Sequence, residues 1–188
     1  MFRTVFHQLM NSKMQHSNDS TLKHVTFSIV KEDVAKGVGY RTFNKHTVGL
    51  VTNGKLIVQD GEKESAAGTG DMVFIAAGNH YIEYLPQGGK PFEMISVFFT
   101  SEEFRSTLGV FHHILGTGIP NDVSVPRYVN PRSYATAKSW NAISGCFHSI
   151  IDYINDDTLR KDTAAHRIKK TELVYMIITK PGCILKQN

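Results

Sequence analysis

The stretch that decides the fold is residues 46–80, HTVGLVTNGKLIVQDGEKESAAGTGDMVFIAAGNH. It reads as short strands joined by glycine-bearing turns. Asn53-Gly54 has the composition of a hairpin turn, because both central positions of a type I′ turn need positive φ. Lys55–Gln59 is then the returning strand, and Asp60-Gly61 forms a second turn of the same chemistry. The phrase Gly70-Asp71-Met72-Val73-Phe74-Ile75 follows, with Ala77-Gly78 and His80 behind it. Met72–Ala76 is apolar at every position, as expected of a strand buried on both sides.

Strand signals continue on either side. From Lys23 to Val30, Val25, Phe27 and Ile29 alternate with Thr26 and Ser28, the pattern of a half-buried strand. Residues 37–53 give more strand material, interrupted at Gly37 and Gly39. Tyr81–Leu85 and Phe92–Phe99 complete the set across the Pro86-Gln87-Gly88-Gly89 loop. Roughly six to eight short strands without intervening helices imply an antiparallel barrel or sandwich. The Gly-Asp-strand phrase resembles the second half of a cupin-type repeat.

The period changes at Thr100. Thr100 and Glu103 have capping-box spacing, and Phe104, Leu108, Phe111 and Leu115 follow as one helical stripe. Gly116 to Pro131 holds two glycines and three prolines, so it is expected to be a linker. A helix is expected from Ser133 to Asn155, with the stripe Ala137, Trp140, Ile143, Phe147, Ile150/Ile151 and Ile154. A last helix, about Thr163 to Thr179, stops at Pro181-Gly182. Its Leu173–Ile178 run is apolar all round and must be covered on more than one side. The expected fold class is therefore α+β: a polar arm at 1–22, a cupin-like antiparallel β-barrel at 23–100, a capped helix and linker at 101–132, and a helical region at 133–182.

Composition narrows function less than it narrows fold. The 188 residues carry a net charge of +4, with 41% hydrophobic and 20% charged residues, an ordinary globular balance. The basic residues are scattered, and the group Arg160, Lys161, Arg167, Lys169 and Lys170 reads as a solvated helix face. No run approaches the ~18 apolar residues of a membrane span, and the N-terminus lacks a secretory h-region. With only Cys146 and Cys183, reduced thiols and a cytoplasmic location are expected.

Catalytic chemistry is poorly served. An open metal site needs three or four converging ligands. His46 has no HxH partner, and His80 brings only Glu83 nearby, so no metal is expected. His112 and His113 diverge on a helix, and His7, His16, His24, His148 and His166 show no ligand spacing. Cys146 reads as a small buried thiol. Glu102-Glu103 and Asp156-Asp157 diverge or sit at helix ends. Gly68-Thr69-Gly70 is a lone turn, and nucleophile-elbow, phosphate-loop and dinucleotide motifs are all missing. No enzyme activity and no cofactor are expected; a metal-dependent cupin enzyme is the competing reading. By alternation the barrel interior takes Phe27, His46, Val48, Met72, Phe74, His80, Tyr84 and Phe98. Of these, Phe27, His46, Phe74, His80, Tyr84 and Phe98 are the ligand-binding candidates, with simple filling of the barrel as the alternative.

The order of parts, from the Asn-Gly turn and GDMVFIAAGNH through the SEEF helix to the terminal IKKTELVYMI, resembles the N-terminal regulatory half of an AraC-type bacterial transcription regulator over about Lys23–Ile178. The resemblance implies a transcription activator's effector-sensing and dimerisation domain, with a small-molecule effector in the barrel or a protein antagonist on its surface. It implies a homodimer through late helices, for which Trp140, Phe147, Ile151, Val174, Met176 and Ile177 are the candidates. DNA would be met only by a C-terminal domain outside these residues, and no membrane partner is expected.

Overall fold

The computed structural model describes residues 25–33, 36–60, 63–115 and 134–179. The expectations for the arm at 1–22, the 116–131 linker, the Pro181-Gly182 stop and Cys183 lie outside the described residues. So do the side chains of Leu108, Phe111, His112, His113, Leu115, Ala137 and Ile178, and the residues His7, His16 and His24.

Eight strands come first: β1 Phe27–Glu32, β2 Lys36–Phe43, β3 His46–Asn53, β4 Lys55–Asp60, β5 Lys63–Gly68, β6 Asp71–Ile75, β7 Gly78–Leu85 and β8 Phe92–Phe99. Helix α1 (Ser101–Leu115), strand β9 (Tyr134–Lys138), helix α2 (Asn141–Asn155), a 3-10 turn (Leu159–Lys161) and helix α3 (Thr163–Thr179) follow. The strands form two antiparallel sheets, an inner one of order β1-β8-β3-β6-β9 and an outer one of order β2-β7-β4-β5. The fold is α+β as expected. The ladders of the described residues stay in two separate sheets, so the architecture is a sandwich where a closed barrel was expected.

Side-chain parity along the inner strands explains the layering. Val48 and Leu50, Met72 and Phe74, and Ile95, Val97 and Phe99 share one buried cluster with Phe104, Ile143, Phe147, Ile150, Leu173, Val174 and Ile177 of the helices. Their neighbours Val51, Val73, Ile75, Phe92 and Met94 join Leu56, Val58, Ala67 and Ile82 of the outer sheet in a second cluster. Successive residues of a strand point to opposite faces, so the inner sheet is the middle of three layers.

The Asn53-Gly54 pair does not make the expected hairpin. β3 and β4 belong to different sheets, and β4 instead pairs with β5, Asp60 opposite Lys63, across the second of the two expected turns. Asn53-Gly54 turns the corner between layers. Gly54 has φ 87°, and a Cβ there would come within 2.4 Å of the Leu85 carbonyl oxygen. The Asn53 amide donates to the Pro91 carbonyl at 2.7 Å and reaches Gln87 at 3.3 Å, tying the corner to the β7–β8 loop. Gly54 takes the expected positive φ, but Asn53 ends strand β3, and the partner strand depends on contacts that no local pattern encodes.

The expected helix from Ser133 is also corrected. Tyr134–Lys138 is strand β9, pairing antiparallel with β6 so that Phe74 is opposite Ala135 and Met72 is opposite Ala137. Without it, β6 would leave a row of unpaired backbone groups at the sheet edge, and that demand overrides a weak helical period. The helix begins at Asn141 and keeps the expected stripe, with Ile143, Phe147 and Ile150 buried.

Gly54→Ala is expected to lose the roughly 1–2 kcal/mol of a forced left-handed residue plus the cost of the carbonyl clash. Gly70 has φ 86°, and a Cβ added there would meet nothing within 4 Å, so Gly70→Ala should lose only the backbone part. Urea unfolding of both variants compares them; equal losses would remove the clash from the account.

Candidate functional site

The first turn of α1 is where the layers meet. The backbone N–H of Thr100 donates to Glu103 Oε2 at 2.7 Å, and that of Glu103 donates to Thr100 Oγ1 at 3.1 Å, the expected capping box. Glu103 Oε1 accepts from Lys170 of α3 at 2.9 Å. Lys170 is buried among apolar groups, its ammonium 5.1 Å from the centre of the Phe99 ring. Burial alone would raise the Glu103 carboxyl, but hydrogen bonds from Lys170 and Thr100, with the Lys170 charge, outweigh it and hold the carboxyl below its ordinary range. Lys45, whose ammonium donates to the Val25 carbonyl at 3.0 Å, is lowered by burial and by the nearby Lys170 charge.

His46 closes the other side of this turn. The Ala77 N–H donates to Nδ1 at 3.1 Å, so the ring proton sits on Nε2, which donates to Ser101 Oγ at 3.0 Å. The ring stacks on Phe74 at 6.0 Å and lies 5.9 Å from Phe104. Burial lowers its pKa, since it strips away the solvation an imidazolium would need.

The six ligand-binding candidates do not form one group. Phe27, His46 and Phe74 face the helices; Phe27 packs edge-on against Tyr153 and His166. His80 and Tyr84 lie on the sandwich side, and Phe98 shares the face of β8 that carries Met94. His80 is buried, and its Nε2 donates to the Ala76 carbonyl at 2.8 Å. Tyr84 packs 4.9 Å from Phe92, and burial pushes its phenol up. Alternation was a sound guide to facing but not to interior, because both faces of the inner sheet are interior. His46 and His80 consequently sit on opposite sides of that sheet. Among the described residues, no three of His, Cys, Asp and Glu are placed to hold a metal ion.

The dimer candidates are also redistributed. Phe147, Val174 and Ile177 are at most 2% exposed within the protomer core, while Trp140, Ile151 and Met176 are half-buried at its margin. In this run Leu173, Val174 and Ile177 are buried in the core shared by α1, α2 and the inner sheet, whereas Tyr175 is not. Ile168 and Tyr175 are the large apolar groups that α3 exposes, at 68% and 43%.

Sequence reading missed Lys169 and Lys170, which it placed on a solvated face. Both are buried; Lys169 pairs with Glu172 at 2.6 Å. The signal was present, since each lies four residues before Leu173 or Val174 and hence on the same buried face. Cys146 is buried as expected, its thiol pushed up to about 11 by desolvation.

Residues 46–182 match the family described as the ExsA N-terminal regulatory domain. The chain belongs to that family. No curated protein sequence matches it. Among solved structures, the AraC-like transcriptional activator CuxR is similar with a TM-score of 0.51 and 13% identity, over 79% of this chain and 51% of CuxR. Apo ToxT K231A from Vibrio cholerae strain SCE256 gives 0.54 and 9%, over 87% of this chain and 60% of ToxT. ToxT from Vibrio cholerae O395 bound to (E)-4-(8-methylnaphthalen-1-yl)but-3-enoic acid gives 0.51 and 7%, over 87% and 61%. These likenesses establish a shared fold, and this ExsA-type domain spans about half to three fifths of those proteins. No helix among the described residues is long and apolar enough to cross a membrane.

Glu103→Ala removes both a cap and the partner of Lys170 and should destabilise the ExsA-type domain by about 2 kcal/mol, the half-exposed carboxylate limiting the loss. Lys170→Met keeps the apolar stem against Phe99 and should stay within about 1 kcal/mol of the parent. Equal losses in urea unfolding would place the energy in the ion pair alone.

Proposed function

We propose that this ExsA-type domain is the signal-receiving and dimerising half of an AraC-type transcription activator, acting in the cytoplasm by binding and without turnover. The observation that carries this is the family match over 46–182 on a sandwich whose inner sheet shares one core with α1, α2 and α3. An input to the sandwich must then alter the helices, by its differential affinity for two packings. DNA reading belongs to a separate domain, as in AraC-type activators.

For the input we favour a small apolar carboxylic acid, the ligand class of the ToxT complex. Its candidate contacts are His80, Tyr84 and Phe98, the sandwich-facing subset of the sequence candidates. One observation favours a second reading, a protein antagonist on the surface. Val51, Leu56, Val58, Val73, Ile75, Ile82, Phe92 and Met94 between the sheets are all at most 2% exposed, so a ligand there would have to part them. Thermal unfolding with the naphthyl-butenoic acid separates the two: at about 100 times Kd a bound ligand stabilises by about 2.7 kcal/mol. A midpoint unchanged up to the solubility limit excludes this acid as the input.

Dimerisation is assigned to the outer margin of α2 and α3, with Ile168, Tyr175, Met176 and Ile151. Ile168→Asp should give a folded monomer in sedimentation, whereas Val174→Asp, in the core, should lose the fold. A dimer that survives Ile168→Asp and Tyr175→Asp together would remove α3 from the interface.

A further inference from the structure

We propose that the first turn of α1 is an interlock with two states, which ties the β6–β7 corner of the sandwich to α3 through the chain Ala77–His46–Ser101–Thr100–Glu103–Lys170. Each link is a hydrogen bond or a peptide neighbour. Ala77 N–H reaches His46 Nδ1, His46 Nε2 reaches Ser101 Oγ, and Glu103 joins the Thr100 cap to Lys170. Ala77 belongs to the corner between β6 and β7, the crossing from inner to outer sheet. Lys170 lies one turn before Leu173 and Val174, the core residues that seat α3.

The two states follow from what imidazole can do. The neutral ring accepts from Ala77 and donates to Ser101 at once. A ring protonated at Nδ1 presents a donor to the Ala77 N–H, and two donors cannot share that contact. The Ala77 link must then break, and with it the position of Ser101 at the start of α1. The surroundings do not compensate an added charge. From β3 and its approach come Lys45, a cation, and from β6 the apolar Phe74. From the corner comes the peptide of Ala77, with His80 of β7 directed at the Ala76 carbonyl. From α1 come Ser101, Phe104 and the carboxylate of Glu103, committed to Thr100 and to Lys170 of α3.

A displacement of the corner is therefore felt at α3 without any contact between them. The interlock stands whether or not an effector exists; its use in regulation rests on the chain being a regulator.

The test is amide hydrogen exchange on the whole chain, as protection factors at about pH 7.5 and about pH 5.5, across the range in which a buried histidine is forced to take up a proton. The sign is fixed by the lowered pKa: stability is full above the ordinary histidine value and falls as pH drops through it. The expected result is a loss of about tenfold or more in protection at Ala77, at Phe104 in the first turn of α1, and at Lys170–Val174 of α3, with little change in the β4–β5 hairpin. In His46→Asn the α3 response should disappear. In Glu103→Gln, Ala77 and Phe104 should still respond while α3 no longer does. An α3 response that persists in His46→Asn would belong to His166, which also has a lowered pKa and sits on α3, and would overturn the proposal. So would an α3 response unchanged in Glu103→Gln. Neither DNA nor effector enters the measurement, so its failure leaves the sensing function untouched.

Discussion

The central strands of the inner sheet, β3, β6 and β8, have almost no solvent face, and the rest of the structure depends on that. They carry apolar side chains on both sides, to the outer sheet and to the helices, so each strand must satisfy two cores at once. Val73 and Ile75 serve one while Met72 and Phe74 serve the other. Every helix position follows from this demand, because α1, α2 and α3 are needed to keep water from half of the sheet. A two-sheet sandwich of this composition without its helices would expose Val48, Leu50, Phe74, Ile95 and Val97 together. Such a patch is far larger than soluble domains leave bare.

The same constraint decides which features were legible. Met72–Ala76 announced a doubly buried strand because its run has no polar interruption, and the structure buries it on both faces. The capping box was visible because Thr100 and Glu103 are local partners, independent of tertiary context. Where distant contacts choose, the sequence pattern was not enough. Asn53-Gly54 has hairpin chemistry, yet the chain uses its left-handed glycine to leave one sheet for the other. Tyr134–Lys138 has helix-compatible spacing, yet the open edge of β6 recruits it as a strand. The six candidate residues are divided between two interiors for the related reason that alternation assigns a face but not what covers it. His46 and His80 were both correctly expected to point inward, into different interiors.

Polar groups are buried inside the layers as well. His46, Thr47, His80 and Ser96 are all at most 6% exposed. Thr47 lies opposite Phe98 and Ile75, and Ser96 opposite Gly49 and Ser28, so their hydroxyls share the sandwich face of the inner sheet. Neither hydroxyl has a hydrogen-bond partner among the described residues. His46 and Thr47 open β3 and so mark one end of the sandwich. It is also the end at which α1 begins, since His46 and Ser101 are bonded there.

That coincidence gives the domain a direction. The opposite end is closed by Asn53 on the β7–β8 loop carbonyls and by a glycine corner with no room for a side chain. The end that holds His46 and Thr47 adjoins the one ion pair linking α1 to α3 among the described residues. Lys170 cannot follow a shifted Glu103 freely, because its own ammonium is buried over Phe99 and would be stranded without its partner. A change at that end of the sandwich would reach α3 through this pair, and α3 is the helix that presents Ile168 and Tyr175 outward.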